Sequence, residues 1–249
     1  MLKLPGQKKR SLVFGNCVHK GLEVVFKAYM ETGRFPAFPV FEKAFAGELA
    51  YQGVDSAMER ECMNRMKTVK GWFDAERIRA KVPIDLEKKL MVTVGDNIIF
   101  TGKYDKVEWC DEKARTVRVL DYKTGKPDDH IKAIDRCTDL DSAECEPYLR
   151  QLVAYKLLFE KDKRQSKTGV VECGALVFIE PLGSDIRKLG YRKGEYATVS
   201  VPISEAMVGR LEGIIVRAWQ DIRSLRFDKL AARDDKLCQN CDFDNICWG

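Results

Sequence analysis

Two short acidic runs constrain this 249-residue chain more than any other feature. One is Gly102-Lys103-Tyr104-Asp105, the other Val119-Leu120-Asp121-Tyr122-Lys123-Thr124-Gly125. Both lie in stretches of strand-like alternation joined by a polar turn from Asp111 to Ala114. Alternate side chains of a strand share a face, so Asp105 travels with Val107 and Trp109, and Asp121 and Lys123 travel with Val117 and Val119. A hairpin turning near Glu112 and Lys113 sets Asp105 almost directly across from Asp121. Two like charges on an otherwise apolar face are costly unless a cation lies between them. A bound metal resolves the conflict, and Lys123 on the same face can assist chemistry beside it.

Periodicity orders the rest. Ser11 to Gly33 reads as a helix on which His19 and Glu23, one turn apart, share a face. They are either a surface pair or a metal-ligand imidazole with a supporting carboxylate. Pro36 and Pro39 mark a loop from Phe35 to Phe41, and a helical region follows from Glu42 to Arg79, broken near Gly53. Ile84 to Val94, Ile98 to Trp109 and Arg115 to Tyr122 read as an antiparallel meander. Glu87 is out of phase with its strand's apolar series and is expected to face solvent. Asp128 to Glu146 looks irregular. Tyr148 to Lys161 is a helix presenting Gln151 and Tyr155 together, and Val170 to Ile179 a strand buried on both faces. Lys188 to Val201 supplies outer strands, and Ser204 caps a helix through Leu225. The expectation is an α/β (α+β) chain with an αβββαβ core, a central mixed sheet flanked by helices. It reads as one domain over 1–249, with the core at about 11–203 and a C-terminal segment 204–249.

The excess of 43 Lys+Arg over 38 Asp+Glu permits a polyanionic partner without demanding one. No apolar run is long enough to span a bilayer, and the start lacks the apolar core of a secretory signal, so a cytoplasmic protein is expected. Nine cysteines are many for such a chain, and three crowd near its end. Their odd number and clustering argue against a disulfide framework and for metal or cluster ligation. A zinc site on Cys137 and Cys145 is conceivable, although their separation matches no common ligand spacing.

The constellation resembles the PD-(D/E)XK nuclease superfamily and its RecB-like branch, which includes recombination helicase-nucleases and CRISPR-associated adaptation nucleases. The matching segments are Gly15 to Glu23, Gly102 to Asp105, Asp121 to Gly125, and Gln151 through Tyr155. The resemblance implies a restriction-endonuclease-like fold and a metal-dependent DNA exonuclease. Mg²⁺ or Mn²⁺ would be held by His19, Asp105, Asp121 and the Tyr122 carbonyl, with Lys123 beside the attacking water. Gln151 and Tyr155 would hold the scissile strand or steady Lys123. Lys103 and Lys106 are phosphate contacts or solvated charges. Cys238, Cys241 and Cys247 match a C-x2-C-x5-C arrangement that in the branch helps bind a [4Fe-4S] cluster. The fourth ligand is unassigned: Cys17, the sole cysteine before His19, lies on a different helical face from it. A naturally short form, a substitute cysteine, zinc, or an empty site all stay open. DNA is the implied partner, delivered by a helicase or integrase in repair, recombination, replication or CRISPR adaptation. The alternative is a catalytically silent module that binds DNA or a helicase.

Overall fold

The computed structural model describes residues 9–142, 145–226, 230–238, 241 and 243–248. Three helices come first. α1, Arg10–Thr32, ends on Gly33, whose left-handed φ of 66° suits a residue without Cβ. α2, Phe38–Tyr51, starts inside the stretch expected to be loop. Pro39 falls in its first turn, where a missing N–H leaves no hydrogen bond unmade. α3, Ser56–Arg79, is capped by Asp55, which accepts from the backbone N–H of Ala57 and Met58.

The two runs read as single long strands are each broken. The first becomes β1, Asp85–Leu86, and β2, Lys89–Val94; the second becomes β3, Ile98–Lys103, and β4, Lys106–Asp111. The breaks face each other: Glu87, at a left-handed φ of 47°, donates its N–H to the Asp105 carbonyl at 3.0 Å. β1 and β4 stay in a five-stranded sheet, whereas β2 and β3 leave as a separate ribbon over the helix Pro147–Lys161, replacing the expected meander. Gly102 permits that close approach, because a Cβ there would sit 2.5 Å from Leu158 Cδ1.

The sheet order is β1-β4-β5-β6-β7, with β5 at Thr116–Lys123, β6 at Val170–Pro181 and β7 at Tyr196–Pro202. β4 and β5 are antiparallel, with Lys106 opposite Leu120 and Val107 opposite Val119. Asp105 and Asp121 therefore face each other one step further on. β5 and β6 run parallel, joined through α4, Asp128–Arg136, and α5, Pro147–Lys161. α4 corrects the expected irregular stretch: Ile131 and Ile134 are buried, and Asp128 accepts from the N–H groups of Gly183 and Ser184. Between α4 and α5, Cys137 and Cys145 form a disulfide with Cα atoms 5.0 Å apart, not the half of a zinc site. α6, Glu205–Arg223, is capped by Ser204; short helices α7, Asp235–Cys238, and α8, Asp244–Trp248, follow.

The sheet separates two cores. Leu120, Tyr122, Ala175, Val177 and Ile179 pack against α1–α3, while Val107, Val119, Leu176 and Phe178 pack beneath α5. Lys106 lies in the first core, 1% exposed, with its amine 4.2 Å from the Phe26 ring centre and 3.1 Å from Glu108. It is neither a phosphate contact nor a solvated charge. Among the described residues, no helix is long and apolar enough to cross a membrane.

Candidate metal and catalytic site

α1, the β1–β2 and β3–β4 breaks, the end of β5 and the first half of α5 converge on a cleft of about 460 Å³. On one wall His19 Nδ1 lies 3.1 Å from Asp105 Oδ1, while Asp105 Oδ2 accepts the Tyr122 N–H at 2.7 Å. That second bond fixes the carboxylate where β4 has not yet begun. Ligand atoms of His19, Glu87 and Asp105 all lie within 4.8 Å of one another. Glu87 is thus not the solvent-facing residue its phase indicated. The left-handed turn at its own position reverses the alternation and brings its carboxylate, 11% exposed, beside Asp105.

On the other wall four side chains close a ring. Tyr155 OH donates to Asp121 Oδ1 at 2.7 Å and accepts from Gln151 Nε2 at 2.7 Å. Gln151 Oε1 accepts from Lys123 Nζ at 2.7 Å, and Lys123 Nζ pairs with Asp121 Oδ2 at 2.5 Å. Gln151 and Tyr155 can meet Lys123 and Asp121 together because one helical turn separates them. Both Asp121 oxygens have partners in this ring, and Asp121 lies outside the group of three convergent ligand atoms. Tyr122 contributes its N–H here; its ring is buried on the opposite face, stacked 6.0 Å from Phe26.

One neighbour was missed. The Tyr148 ring centre lies 3.9 Å from Lys123 Nζ, and the His130 ring packs 4.6 Å behind it. Tyr148 sits one turn before Gln151 on the same helix, and that spacing was the available signal.

The electrostatics fit a cation. Burial, then the charge of Asp105, raise the Asp121 pKa despite Lys123, and burial raises that of Glu87 despite Lys103. For His19 burial acts downward, but the Asp105 hydrogen bond and the charges of Asp105, Asp121 and Glu87 outweigh it, so its pKa is raised. Each group holds its proton more tightly than in water, as expected of carboxylates facing one another without a counter-ion. Two hard oxygen donors and one imidazole suit Mg²⁺ or Mn²⁺.

The tail differs. Cys238 is buried, Cys241 exposed and Cys247 half-buried. Among the described residues their sulfurs are not all within 4.8 Å of one another, the spacing that a single shared ion would need. Cys17 is no substitute ligand: it is wholly buried among α1–α3, accepts from Gln52 Nε2 at 3.7 Å, and has its thiol pKa pushed up to about 12, chiefly by burial.

No curated protein matches the chain. Among solved structures it is similar to a "putative exonuclease" from Eubacterium rectale, at 10% identity and a TM-score of 0.50, covering 98% of this chain and 76% of that one. It is also similar to SSO0001, at 17% identity and a TM-score of 0.40, covering 97% and 87%. At 10% identity the first likeness speaks to fold alone, and the second, at a TM-score of 0.40, supports no conclusion. The family model is more decisive, since it matches residues 2–248. The chain belongs to the PD-(D/E)XK nuclease superfamily.

Proposed function

We propose that this chain is a divalent-metal-dependent deoxyribonuclease, working as an exonuclease. The observation that carries the reading is a convergent His19–Glu87–Asp105 group facing, across one cleft, an amine held in the Asp121–Lys123–Gln151–Tyr155 ring. His19, Glu87 and Asp105 would hold Mg²⁺ or Mn²⁺, with Asp121 and the Tyr122 carbonyl as further ligands. The ion would supply Lewis acidity and a more acidic water.

The side chains do the positioning. Two of the three Lys123 ammonium protons are engaged by Asp121 and Gln151, and the third is left for a phosphate oxygen or the attacking water. Tyr155 keeps Asp121 from rotating, and Gln151 ties Tyr155 to the amine. Water attacks phosphorus in line, the bond from phosphorus to the 3′ oxygen breaks, and that oxygen takes up a proton. The products are a 5′-phosphate and a 3′-hydroxyl. The exonucleolytic part of the reading leans on the name of the Eubacterium rectale neighbour and on the family resemblance.

The test is degradation of linear DNA with Mg²⁺ or Mn²⁺. Wild type is expected to be active, and Asp121→Asn and Lys123→Ala to lose roughly 10²-fold or more. Undiminished activity in both variants would show the site misread. Wild type that binds DNA without cutting it would favour the silent module. Membership of the RecB-like branch, a helicase or integrase partner and an iron–sulfur cluster on Cys238, Cys241 and Cys247 rest on the resemblance carried by the sequence motifs. Iron analysis of anaerobically purified protein decides the cluster.

A further inference from the structure

The β2–β3 ribbon has an inner face of Leu90, Val92 and Val94 buried toward α5, and an outer face turned to solvent. The outer face carries Lys89, Met91 and Thr93 on β2 opposite Lys103, Thr101 and Ile99 on β3. Three of its features are costly in an idle surface. Lys89 stands directly opposite Lys103, whose amine is already paired with Glu87, and itself forms no ion pair among the described residues. Met91, in the middle of these three pairs, and Ile99, in the last, are 62% and 60% exposed. Along the β2 side, across a cavity of about 530 Å³ from Met91, Val92 and Thr93, stand the exposed cations Lys163 and Arg164, which form no ion pair among the described residues.

The loop that bears them is built to hold this position. Asp162 accepts from the backbone N–H of Arg164 and Gln165 at 3.0 Å, and Gln165 Nε2 donates to Asp85 Oδ2 at 2.8 Å. Asp85 also accepts from Tyr104 OH at 3.0 Å, immediately before Asp105. At the near end Lys103 lines the cleft itself. From Lys89 to Thr93 the face runs about 14 Å, four strand residues at about 3.4 Å each. Cations thus stand at the cleft end of this apolar strip and along its β2 side.

We infer that this outer face is a platform for single-stranded DNA. Lys89 contacts the backbone near the cleft, the unpaired bases lie on Met91 and Ile99, and Lys163 and Arg164 contact the backbone along the β2 side. The inference rests on the nuclease reading above. Charge complementarity selects a polyanion, and the exposed apolar strip selects one whose base faces are free. A duplex keeps those faces stacked inside.

The experiment is fluorescence-anisotropy titration in EDTA, where hydrolysis does not compete, across a salt series. The probes are oligothymidylates of about four and about twenty nucleotides, spanning the site sizes typical of such grooves. For Lys163→Gln/Arg164→Gln, binding of the longer probe is expected to weaken roughly tenfold. Its log–log salt slope should fall by about 1.4, two contacts at about 0.7 each. The shorter probe should be affected less. Met91→Ser/Ile99→Ser should weaken the longer probe with its salt slope unchanged. Unaltered affinity and slope in both double variants, with wild type binding normally, would overturn the platform and leave the nuclease reading standing. So would a duplex of equal length that binds as tightly and is weakened as much. Wild type that neither binds nor cuts any DNA would remove both.

Discussion

Lys123 shows how much of a site one side chain can organise. Its amine touches a carboxylate, an amide oxygen and the face of an aromatic ring, so it is confined from three sides. Tyr148 is the partner whose role separates most cleanly, because its ring face can be kept while its hydroxyl is removed. A cation–π contact of this kind contributes about 0.5–2 kcal/mol, which corresponds to roughly two- to thirtyfold in rate if it serves only to aim the amine. Tyr148→Leu should therefore lower kcat within that range with KM little changed, while Tyr148→Phe keeps wild-type kcat. Steady-state kinetics on linear DNA measure the split. Equal loss in both variants would mean that the hydroxyl, not the ring face, matters.

At the scale of elements, legibility followed periodicity and failed where the backbone departs from it. α1, α3, α5, α6 and β6 were readable because each carries one buried stripe or a continuous apolar run. The facing of Asp105 and Asp121 was readable because hairpin register follows from the turn. The β1–β2 break was not, since the left-handed residue there is Glu87 and no glycine announces it. Hence the carboxylate beside His19 and Asp105 was assigned to solvent. Pro39 hid the start of α2 for a related reason: proline marks loops and first turns alike. Packing between elements also yields a prediction. A Cβ at Gly174 on β6 would lie 2.8 Å from Leu152 Cβ, an atom fixed to the α5 backbone. At Gly102 the obstacle is Leu158 Cδ1, the movable end of a side chain. Gly174→Ala should cost about 1–3 kcal/mol of stability and Gly102→Ala less, as read by urea denaturation. The reverse order would mean that the ribbon, not the sheet, is the more tightly held against α5.

For the whole molecule the site is a source of strain that acidity relieves. His19, Glu87 and Asp121 all have folded-state pKa values raised above their ordinary ones. A group so shifted favours the fold while protonated. Its contribution is complete below the unfolded pKa, about 4 for the carboxylates and about 6.5 for the imidazole, and is lost as pH climbs through the raised folded value. The metal-free protein should therefore lose this part of its stability on going from acid to neutral pH. A divalent ion among His19, Glu87 and Asp105 needs His19 and Glu87 deprotonated, so protons compete with it in acid and cease to do so above the raised values. Ion binding stabilises the fold by about 2.7 kcal/mol when the free ion stands at about a hundred times its Kd, and by less where protons weaken that affinity. The difference in Tm with and without Mn²⁺ should accordingly be small near about pH 5 and widen toward about pH 8. Glu87→Gln removes one competing proton and one charge together, and should shrink the widening without abolishing it. Differential scanning calorimetry across pH measures both. A Tm difference that is flat with pH, or largest in acid, would mean that the ion binds somewhere other than among His19, Glu87 and Asp105.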